Sequence, residues 1–228
     1  MHAGAWSDRH GRSPVPSENR SAYILPMQRT QGLRYIVFYK PYGVLTQFSR
    51  VAGHQSLADF GPFSSDVYPV GRLDMDSEGL LVLTNDNRLK QLLTEPRFNH
   101  PRTYVVQVER IPDEQSLQQL RDGVVIEGKR TKPAGVRLLG SEPALPPRPV
   151  PIRFRKNVPT AWIEVTLREG RNRQVRKMTA KVGHPALRLV RTGIGNLTLE
   201  GLQPGGWREL SPEEVQRLMR QHQWTSDV

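Results

Sequence analysis

Cysteine is absent from the sequence of 228 residues. Its absence excludes disulfide bonds, thiolate metal sites and catalysis by a cysteine nucleophile. Histidine is scarce, with six residues, and none of them shows the His-x-x-x-His spacing that is typical of a zinc site. The composition therefore predicts a protein that folds without covalent cross-links and holds no metal ion.

Long apolar segments are missing as well. No run approaches the roughly 20 residues that a membrane-spanning helix requires. The N-terminal region lacks the apolar core of a signal peptide, and no repeat with a period of roughly 20–50 residues is visible. Together these absences predict a cytoplasmic protein.

Acidic residues are too few to balance the basic ones. The chain has 33 lysines and arginines against 22 aspartates and glutamates, a net charge of +11 and a pI near 10.4. Residues 145–191 alone contain twelve basic and two acidic residues, a net charge of +10. This concentration favours a surface that follows nucleic-acid phosphates. The alternative is a positive charge that only keeps the protein soluble.

Apolar periodicity predicts a mixture of strands and helices. The predicted strands are 33–39, 67–73, 80–84, 103–109, 124–126, 135–139, 160–168 and 187–191. The predicted helices are 56–60, a helix between Asn85-Asp86 and Pro96, 112–121, a helix from the Gly170 turn to about Val182, and a final helix from Ser211. Five prolines in 141–151 predict an irregular connection there.

A short acidic loop, Asp74-Met-Asp-Ser-Glu-Gly79, separates two of the predicted strands. One interpretation is a solvated hairpin turn. A second is calcium binding, because the three acids and Gly79 fall at positions 1, 3, 5 and 6 of an EF-hand loop. The strand flanks and Asn85 at position 12, where glutamate is needed, argue against calcium. A third interpretation is an active-site loop on a rigid sheet.

The third interpretation rests on a resemblance. The segment Gly71–Thr84 contains Gly-Arg-Leu-Asp followed by Asp-Ser-Glu-Gly-Leu. This closely resembles the active-site motif of the RsuA-type pseudouridine synthases. In that family the aspartate directly after Gly-Arg-Leu is catalytic, so the resemblance assigns catalysis to Asp74 and not to Asp76.

Other segments resemble further motifs of the same family, in the same order. Lys40-Pro-Tyr-Gly-Val44 resembles the first motif and implies that Lys40 lies near the active site; a solvent-exposed lysine at a strand end is the alternative. Tyr104 matches a tyrosine that lies against the target base, although an ordinary strand tyrosine would look the same. Gly170–Met178 resembles the third motif, in which Arg176 corresponds to the basic residue that pairs with the catalytic aspartate.

The resemblance implies an α+β fold: a long, mixed, mostly antiparallel sheet with a central cleft and flanking helices. It implies isomerisation of one uridine to pseudouridine in ribosomal RNA, expected to be the large-subunit 23S rRNA. The N1–C1′ bond breaks and the base rejoins through C5, after the uridine is flipped out. Because this is an isomerisation, no cofactor is expected. The alternative function is a non-catalytic rRNA-binding or ribosome assembly factor, which the basic segment would serve equally well.

The expected RNA contacts come from the motifs and the basic segment. They are Lys40, Arg72, Arg153, Arg155, Lys156, Arg171, Arg173, Lys177, Arg188 and Arg191. Residues 1–33 are predicted to be a disordered basic tail, and 34–228 the catalytic domain of a monomer, with a division into two subdomains placed at 99–104. Whether Asp74 attacks the sugar C1′, attacks C6 of the base or removes a sugar proton stays open.

Overall fold

The computed structural model describes residues 32–152 and 157–220. The strands are β1 (Tyr35–Lys40), β2 (Tyr68–Pro69), β3 (Glu78–Thr84), β4 (Arg102–Glu109), β5 (Val125–Ile126), β6 (Lys129–Arg130), β7 (Gly135–Leu138), β8 (Thr160–Leu167), β9 (Ala186–Ile194), β10 (Leu197–Thr198) and β11 (Trp207–Glu209). The α-helices are α1 (Asn87–Thr94), α2 (Glu114–Asp122), α3 (Gln174–Lys181) and α4 (Pro212–Arg220), and 3-10 turns cover Leu57–Asp59 and Pro96–Phe98. None of these helices is long and apolar enough to cross a membrane.

Within the described residues, nine strands form one mixed sheet. Its order is β11–β1–β3–β9–β4–β8–β7, with β2 beside β3 and β10 beside β9, while β5 and β6 form a separate hairpin. The β3–β9 pairing is parallel, and the other pairings of the large sheet are antiparallel. Residues 1–31 of the predicted tail lie outside the described residues. The division of the chain into a tail and a catalytic domain with two subdomains stays a prediction.

The helices cover the sheet because their apolar faces match those of the strands. In β4, Val106 and Val108 pack on the side of α2 and α3, with Tyr104 against the same cluster. This is the period-two alternation that the sequence predicts. A second cluster joins α1 and α4 to β1 and β3, and a third fills the opposite side of those strands with aromatic rings.

The predicted strand 67–73 is wrong for most of its length, because only Tyr68–Pro69 pairs with β3. The Val70 amide still donates to the Val82 carbonyl at 2.8 Å, but Gly71 then turns the chain at φ +72°. The acidic loop is also shorter than predicted. Glu78 belongs to β3 and is 3% exposed, so Asp74 and Asp76 are the acids that remain in the loop.

The two parts of the sheet meet where β3 runs parallel to β9. The joint has two register pairs, Glu78 with Val190 and Gly79 with Arg191. Gly79 has φ +110°, and a Cβ at this position would lie 2.2 Å from the Arg191 carbonyl oxygen. Only glycine allows the two backbones to approach this closely.

Two arginines of β9 reach across the same joint. Arg188 binds the Glu78 carboxylate with both ends of its guanidinium group, at 2.9 and 2.8 Å, and Arg191 Nε donates to the Leu80 carbonyl at 2.7 Å. Both arginines are buried. The fold thus places their guanidinium groups inside the protein and directs them to β3, so the RNA contact of Arg188 and Arg191 stays a prediction that this burial disfavours.

Substitution of Glu78 by Gln should leave the Arg188 guanidinium buried without its counter-charge. We expect Glu78→Gln to reduce the free energy of unfolding by about 3–5 kcal/mol, the usual cost of removing one partner of a buried ion pair. Chemical denaturation followed by circular dichroism measures this cost. The control is Glu114→Gln, which breaks an exposed pair with Arg121 and should cost about 1 kcal/mol or less. Equal costs for the two variants would contradict the assignment.

Candidate active site

Thr46 holds the loop that carries Asp74 through hydrogen bonds to the residue before it. The Thr46 hydroxyl donates to the Leu73 carbonyl at 2.6 Å and accepts from the Leu73 amide at 3.3 Å. On the other side of Asp74, the Gly43 amide donates to the Met75 carbonyl at 2.8 Å. The backbone is therefore fixed on both sides of Asp74, which leaves the carboxylate at the rim of the cleft.

Lys40 supports this loop from inside the protein. Its side chain is fully buried, and its ammonium group donates to the carbonyls of Pro41 and Val44 at 2.9 and 2.7 Å. These bonds fix the turn that holds Met75. The solvent-exposed alternative for Lys40 is thus wrong, and its direct RNA contact stays a prediction that burial of the ammonium group disfavours.

Burial also changes the acidity of Lys40. The loss of hydration lowers its pKa from 10.5 to about 8, although the neighbouring carboxylates Glu78, Asp76 and Asp74 act in the opposite direction. The lysine therefore places a buried, easily discharged cation close to the acidic loop.

Arg173 bridges the two carboxylates of the loop. Its Nη1 lies 3.3 Å from Asp74 Oδ2 and 3.0 Å from Asp76 Oδ1, and its Nη2 lies 2.8 Å from Asp76 Oδ2. Arg173 precedes α3 and has a left-handed backbone, with φ +52°. This conformation places its side chain over the loop. Arg173 is therefore the basic residue that faces Asp74 in the structure.

Arg176 takes a different place from the one the motif predicts. It donates to the Asp76 carbonyl at 2.7 Å and to the Ala186 carbonyl at 3.2 Å, and its Nε lies 3.4 Å from Asp76 Oδ2. The predicted contact with Asp74 is replaced by contacts with Asp76, because the largely buried side chain of Arg176 reaches the backbone carbonyl and the carboxylate of Asp76.

Asp76 connects the two arginines. Burial alone would raise the pKa of its carboxyl group, but the hydrogen bonds from Arg173 and the charge of Arg176 outweigh burial and hold the pKa below its usual value. Asp76 is therefore ionised, and its carboxylate oxygens are occupied by Arg173 and Arg176. Asp74, with one long contact to Arg173, remains the more available carboxylate.

A cavity of about 250 Å³ opens beside Asp74. Tyr104 lines it together with Leu167 and Leu189, and Asp74 and Arg72 lie at its polar side. Ser77 also lines it, and the buried Ser77 hydroxyl has no hydrogen-bond partner among the described residues. The cavity thus combines a carboxylate, an aromatic ring, apolar walls and a cation, and Asp74 and Tyr104 lie together as predicted.

The remaining basic residues of the prediction divide into three groups. Arg72 is exposed at the cavity and forms no hydrogen bond or ion pair within the described residues. Arg171 donates to the carbonyls of Lys129 and Arg130, and Lys177 binds Glu127 at 2.6 Å, so both tie β5–β6 to the site. Outside the described residues lie Arg153, Arg155 and Lys156.

The calcium interpretation fails on geometry. Glu78 points to Arg188, and the other two acids face Arg173, so the three carboxylates do not converge. Among residues 32–152 and 157–220, no group of three histidine, aspartate or glutamate side chains could hold a metal ion. The element after the loop, β3, is a strand as expected, whereas the strand before it, β2, ends at Pro69.

Sequence reasoning missed three contributors to the site: Thr46, Asp76 and Ser77. Thr46 lies 27 positions from the residue it holds and belongs to no recognised motif. Asp76 was set aside because the motif singles out Asp74. A sequence signal existed only for Asp76 and Ser77, which both lie inside the recognised segment.

Comparison with known proteins agrees with this geometry. The family model described as RNA pseudouridylate synthase matches residues 34–181. The chain therefore belongs to the RNA pseudouridylate synthases, enzymes that isomerise uridine in RNA. The family resemblance, the α+β fold class and the enzyme class predicted from sequence are confirmed.

Individual relatives support the same assignment. Ribosomal large subunit pseudouridine synthase E of Vibrio parahaemolyticus is 50% identical over 81% of this chain and 77% of its own length. The protein of the same name from Xanthomonas campestris pv. campestris is 55% identical over 76% of this chain and 93% of its own. A crystal structure of a pseudouridylate synthase superposes with a TM-score of 0.69 at 26% identity, covering 82% of this chain and 74% of that one.

The buried position of Lys40 predicts an unusual pH dependence of stability. Its pKa is about 8 in the folded chain and close to 10.5 when unfolded, so between these values the unfolded chain binds more protons. The contribution of Lys40 to the free energy of unfolding should therefore become more favourable as pH rises through this window, by up to about 3 kcal/mol.

Denaturation of the wild type and of Lys40→Met at pH values on both sides of the window measures this change. The free energy of unfolding of the wild type, relative to that of Lys40→Met, should increase at alkaline pH. The exposed helix lysine Lys90 provides the control, since Lys90→Met should show a difference that does not depend on pH. If the difference in free energy of unfolding between the wild type and Lys40→Met did not change with pH, the ammonium group of Lys40 would be hydrated in the folded wild type.

Proposed function

We propose that this enzyme converts a specific uridine of large-subunit ribosomal RNA to pseudouridine, with Asp74 as the reacting carboxylate. One observation carries the proposal: the cavity of about 250 Å³ places Asp74, Tyr104 and Arg72 around one space. This volume is smaller than the roughly 300–1,000 Å³ of sites for drug-sized ligands. It therefore suits a single flipped-out nucleoside better than a nucleic-acid helix.

Asp74 starts the reaction in this proposal. A carboxylate acts on carbon or removes a proton only when it is ionised and aimed at its target. The guanidinium group of Arg173 lies 3.3 Å from Asp74 Oδ2, and the bonds on both sides of Asp74 fix its position. The contact with Arg173 is long because Asp76 takes most of the hydrogen bonds, which leaves the oxygens of Asp74 accessible to the substrate.

Tyr104 provides the platform for the base. It is half-buried on the cavity side of β4, and Leu189 and Leu167 line the same space. Stacking of a base on an aromatic ring contributes about 1–3 kcal/mol. This energy offsets part of the cost of removing the uridine from its helix, which amounts to a few kcal/mol.

Arg72 supplies the phosphate contact nearest to the site. Its guanidinium group is exposed and unpaired within the described residues, in contrast to Arg171, Arg173 and Arg176. A phosphate beside the flipped nucleotide would therefore meet a cation that does not first have to leave a protein partner. The similarity to large-subunit enzymes supports ribosomal RNA as the substrate. We further propose that the enzyme acts as a cytoplasmic monomer without a cofactor.

Substitution of Asp74 tests the chemistry. We expect Asp74→Asn to lower the single-turnover rate of pseudouridine formation by several orders of magnitude, as removal of a nucleophile does in other enzymes. Fold and RNA affinity should be retained, because Asp76 keeps its hydrogen bonds to Arg173. The readout is pseudouridine mapping in ribosomal RNA that was prepared from a strain lacking the enzyme.

Asp76→Asn is the matched control, since it makes the same change two positions away. Asp76→Asn weakens the contacts with Arg173 and Arg176 but keeps the carboxylate of Asp74. Measurable product is therefore expected at a reduced rate. Chelators should leave the product yield of the wild type unchanged. Product from Asp74→Asn at the rate of Asp76→Asn would refute the role of Asp74. A wild type that binds the RNA but makes no pseudouridine would instead indicate an assembly factor.

Tyr104 permits a test of the platform. If the ring stacks on the base, Tyr104→Phe should bind substrate RNA nearly as well as the wild type, and Tyr104→Leu should lose up to about 1–3 kcal/mol. Comparison of RNA affinity with turnover separates stacking from chemistry. Equal loss of turnover in the two variants would show that the hydroxyl group takes part in the reaction, and normal turnover in both would rule out stacking.

A further inference from the structure

A cluster of exposed basic residues lies beside the cavity, outside the segments that resemble family motifs. Its members are Lys129 on β6, Lys132 in the segment after β6, and Arg168 directly after β8; all three are exposed. We propose that this basic rim binds the phosphates of the RNA strand that continues from the flipped uridine. The inference rests on the proposed function, because it requires an RNA substrate in the cavity.

The rim is rigidly connected to the active site through Arg171. Arg171 lines the cavity, and its guanidinium group donates to the backbone carbonyls of Lys129 and Arg130. Lys177 on α3 binds Glu127 at the hairpin turn. The hairpin therefore cannot move independently of the cavity wall, and a phosphate bound on the rim has a fixed position relative to Asp74.

The hairpin is also stiff in itself. Ile126 pairs with Lys129 across a two-residue turn, Glu127-Gly128, in which both residues have positive φ, +50° and +76°. This is the turn whose twist matches that of paired strands. Because directly opposed residues project from the same face, Lys129 projects on the face of Ile126. Ile126 packs in the same cluster as Val175 and Met178 of α3, so that face is turned toward the helix that borders the cavity.

Within residues 32–152 and 157–220, no carboxylate neutralises the charges of the rim. Lys132 Nζ donates to the side-chain oxygen of Asn99 at 2.6 Å, and Arg168 donates to the Asn99 carbonyl at 3.3 Å. Both partners are neutral, so the two cations are oriented but keep their full charge. For Lys129, no side-chain hydrogen bond or ion pair occurs within the described residues. Glu169, the nearby acid, is occupied by the Lys132 amide and by Gln174.

The contrast with the motif arginines supports this assignment. Arg171, Arg173 and Arg176 of the third motif, and Arg188 on β9, donate to carbonyls and carboxylates of the protein itself. A phosphate would have to displace those partners before it could bind. The rim offers exposed cations that face no carboxylate within the described residues, and two of them are oriented by Asn99. A polyanion recognises such an arrangement through release of its counterions.

Salt-dependent binding of the full chain to an in vitro transcribed fragment of large-subunit rRNA tests the proposal. Each lost phosphate contact lowers the slope of log Kobs against log salt by about 0.7–0.9. The double variant Lys129→Gln/Lys132→Gln should therefore show a slope smaller by about 1.4–1.8. Over a fourfold rise in salt, it should lose roughly tenfold less affinity than the wild type does.

Two matched variants serve as controls. Arg217→Gln/Arg220→Gln removes the same charge from α4, which follows β11 at the opposite edge of the sheet from β8 and β7, and should retain the wild-type slope. Lys129→Arg/Lys132→Arg keeps the charge and should also retain it. Equal slopes for the two glutamine doubles, or a reduced slope in the arginine variant, would overturn the proposal.

The test also separates this inference from the proposed function. Pseudouridine formation by the wild type is measured on the same RNA. If the salt slope falls in the Lys129→Gln/Lys132→Gln variant but the wild type makes no pseudouridine, the proposed catalysis is refuted and the binding surface is supported. Product formation with a slope that does not depend on the rim would refute the surface and leave the catalysis in place.

Discussion

The buried pairing of Glu78 with Arg188 is the interaction on which the rest of the structure depends. It lies at the joint between β3 and β9, where two register pairs and one glycine connect the two parts of the sheet. One side of this joint carries Asp74 on the loop before β3. The other side carries Tyr104 on β4, which pairs with β9. The joint therefore sets the distance between the Asp74 carboxylate and the Tyr104 ring.

Buried charged side chains stabilise the structure around the acidic loop. Lys40, Arg176, Arg188 and Arg191 are all largely buried. Lys40, Arg176 and Arg191 donate to backbone carbonyls of the supporting turn, the loop and the joint, and Arg188 binds the Glu78 carboxylate at the joint. These bonds offset part of the cost of burying the cations, so their convergence on one small region resists displacement of the acidic loop.

The sequence was sufficient to predict the fold class and the location of the site. Strand alternation identifies β4 and β8, and the Asn85-Asp86 pair marks the start of α1, where the Asp86 carboxylate accepts from the Arg88 amide at 2.8 Å. These features are local, so the pattern of neighbouring residues determines them. Asp74 and Tyr104 were identified because they belong to recognisable motifs.

The arginines show where prediction from sequence ends. The concentration of charge in residues 145–191 was interpreted as one surface, yet Arg188 and Arg191 point into the sheet and Arg173 replaces Arg176 beside Asp74. Whether an arginine is buried depends on partners about 100 positions away, such as Glu78 for Arg188 at a separation of 110. No local pattern contains that information. The rim residues Lys129, Lys132 and Arg168 were overlooked for the same reason, since they come together only in the folded chain.

The long separation across the β3–β9 joint has a consequence for folding kinetics. Contacts between distant positions require closure of a long loop, and proteins dominated by such contacts fold slowly. The β1–β3 and β4–β8 pairings join partners that are closer in the chain, so we expect the joint to close after them. The cavity, whose walls lie on both sides of the joint, would then take shape only once those pairings have formed.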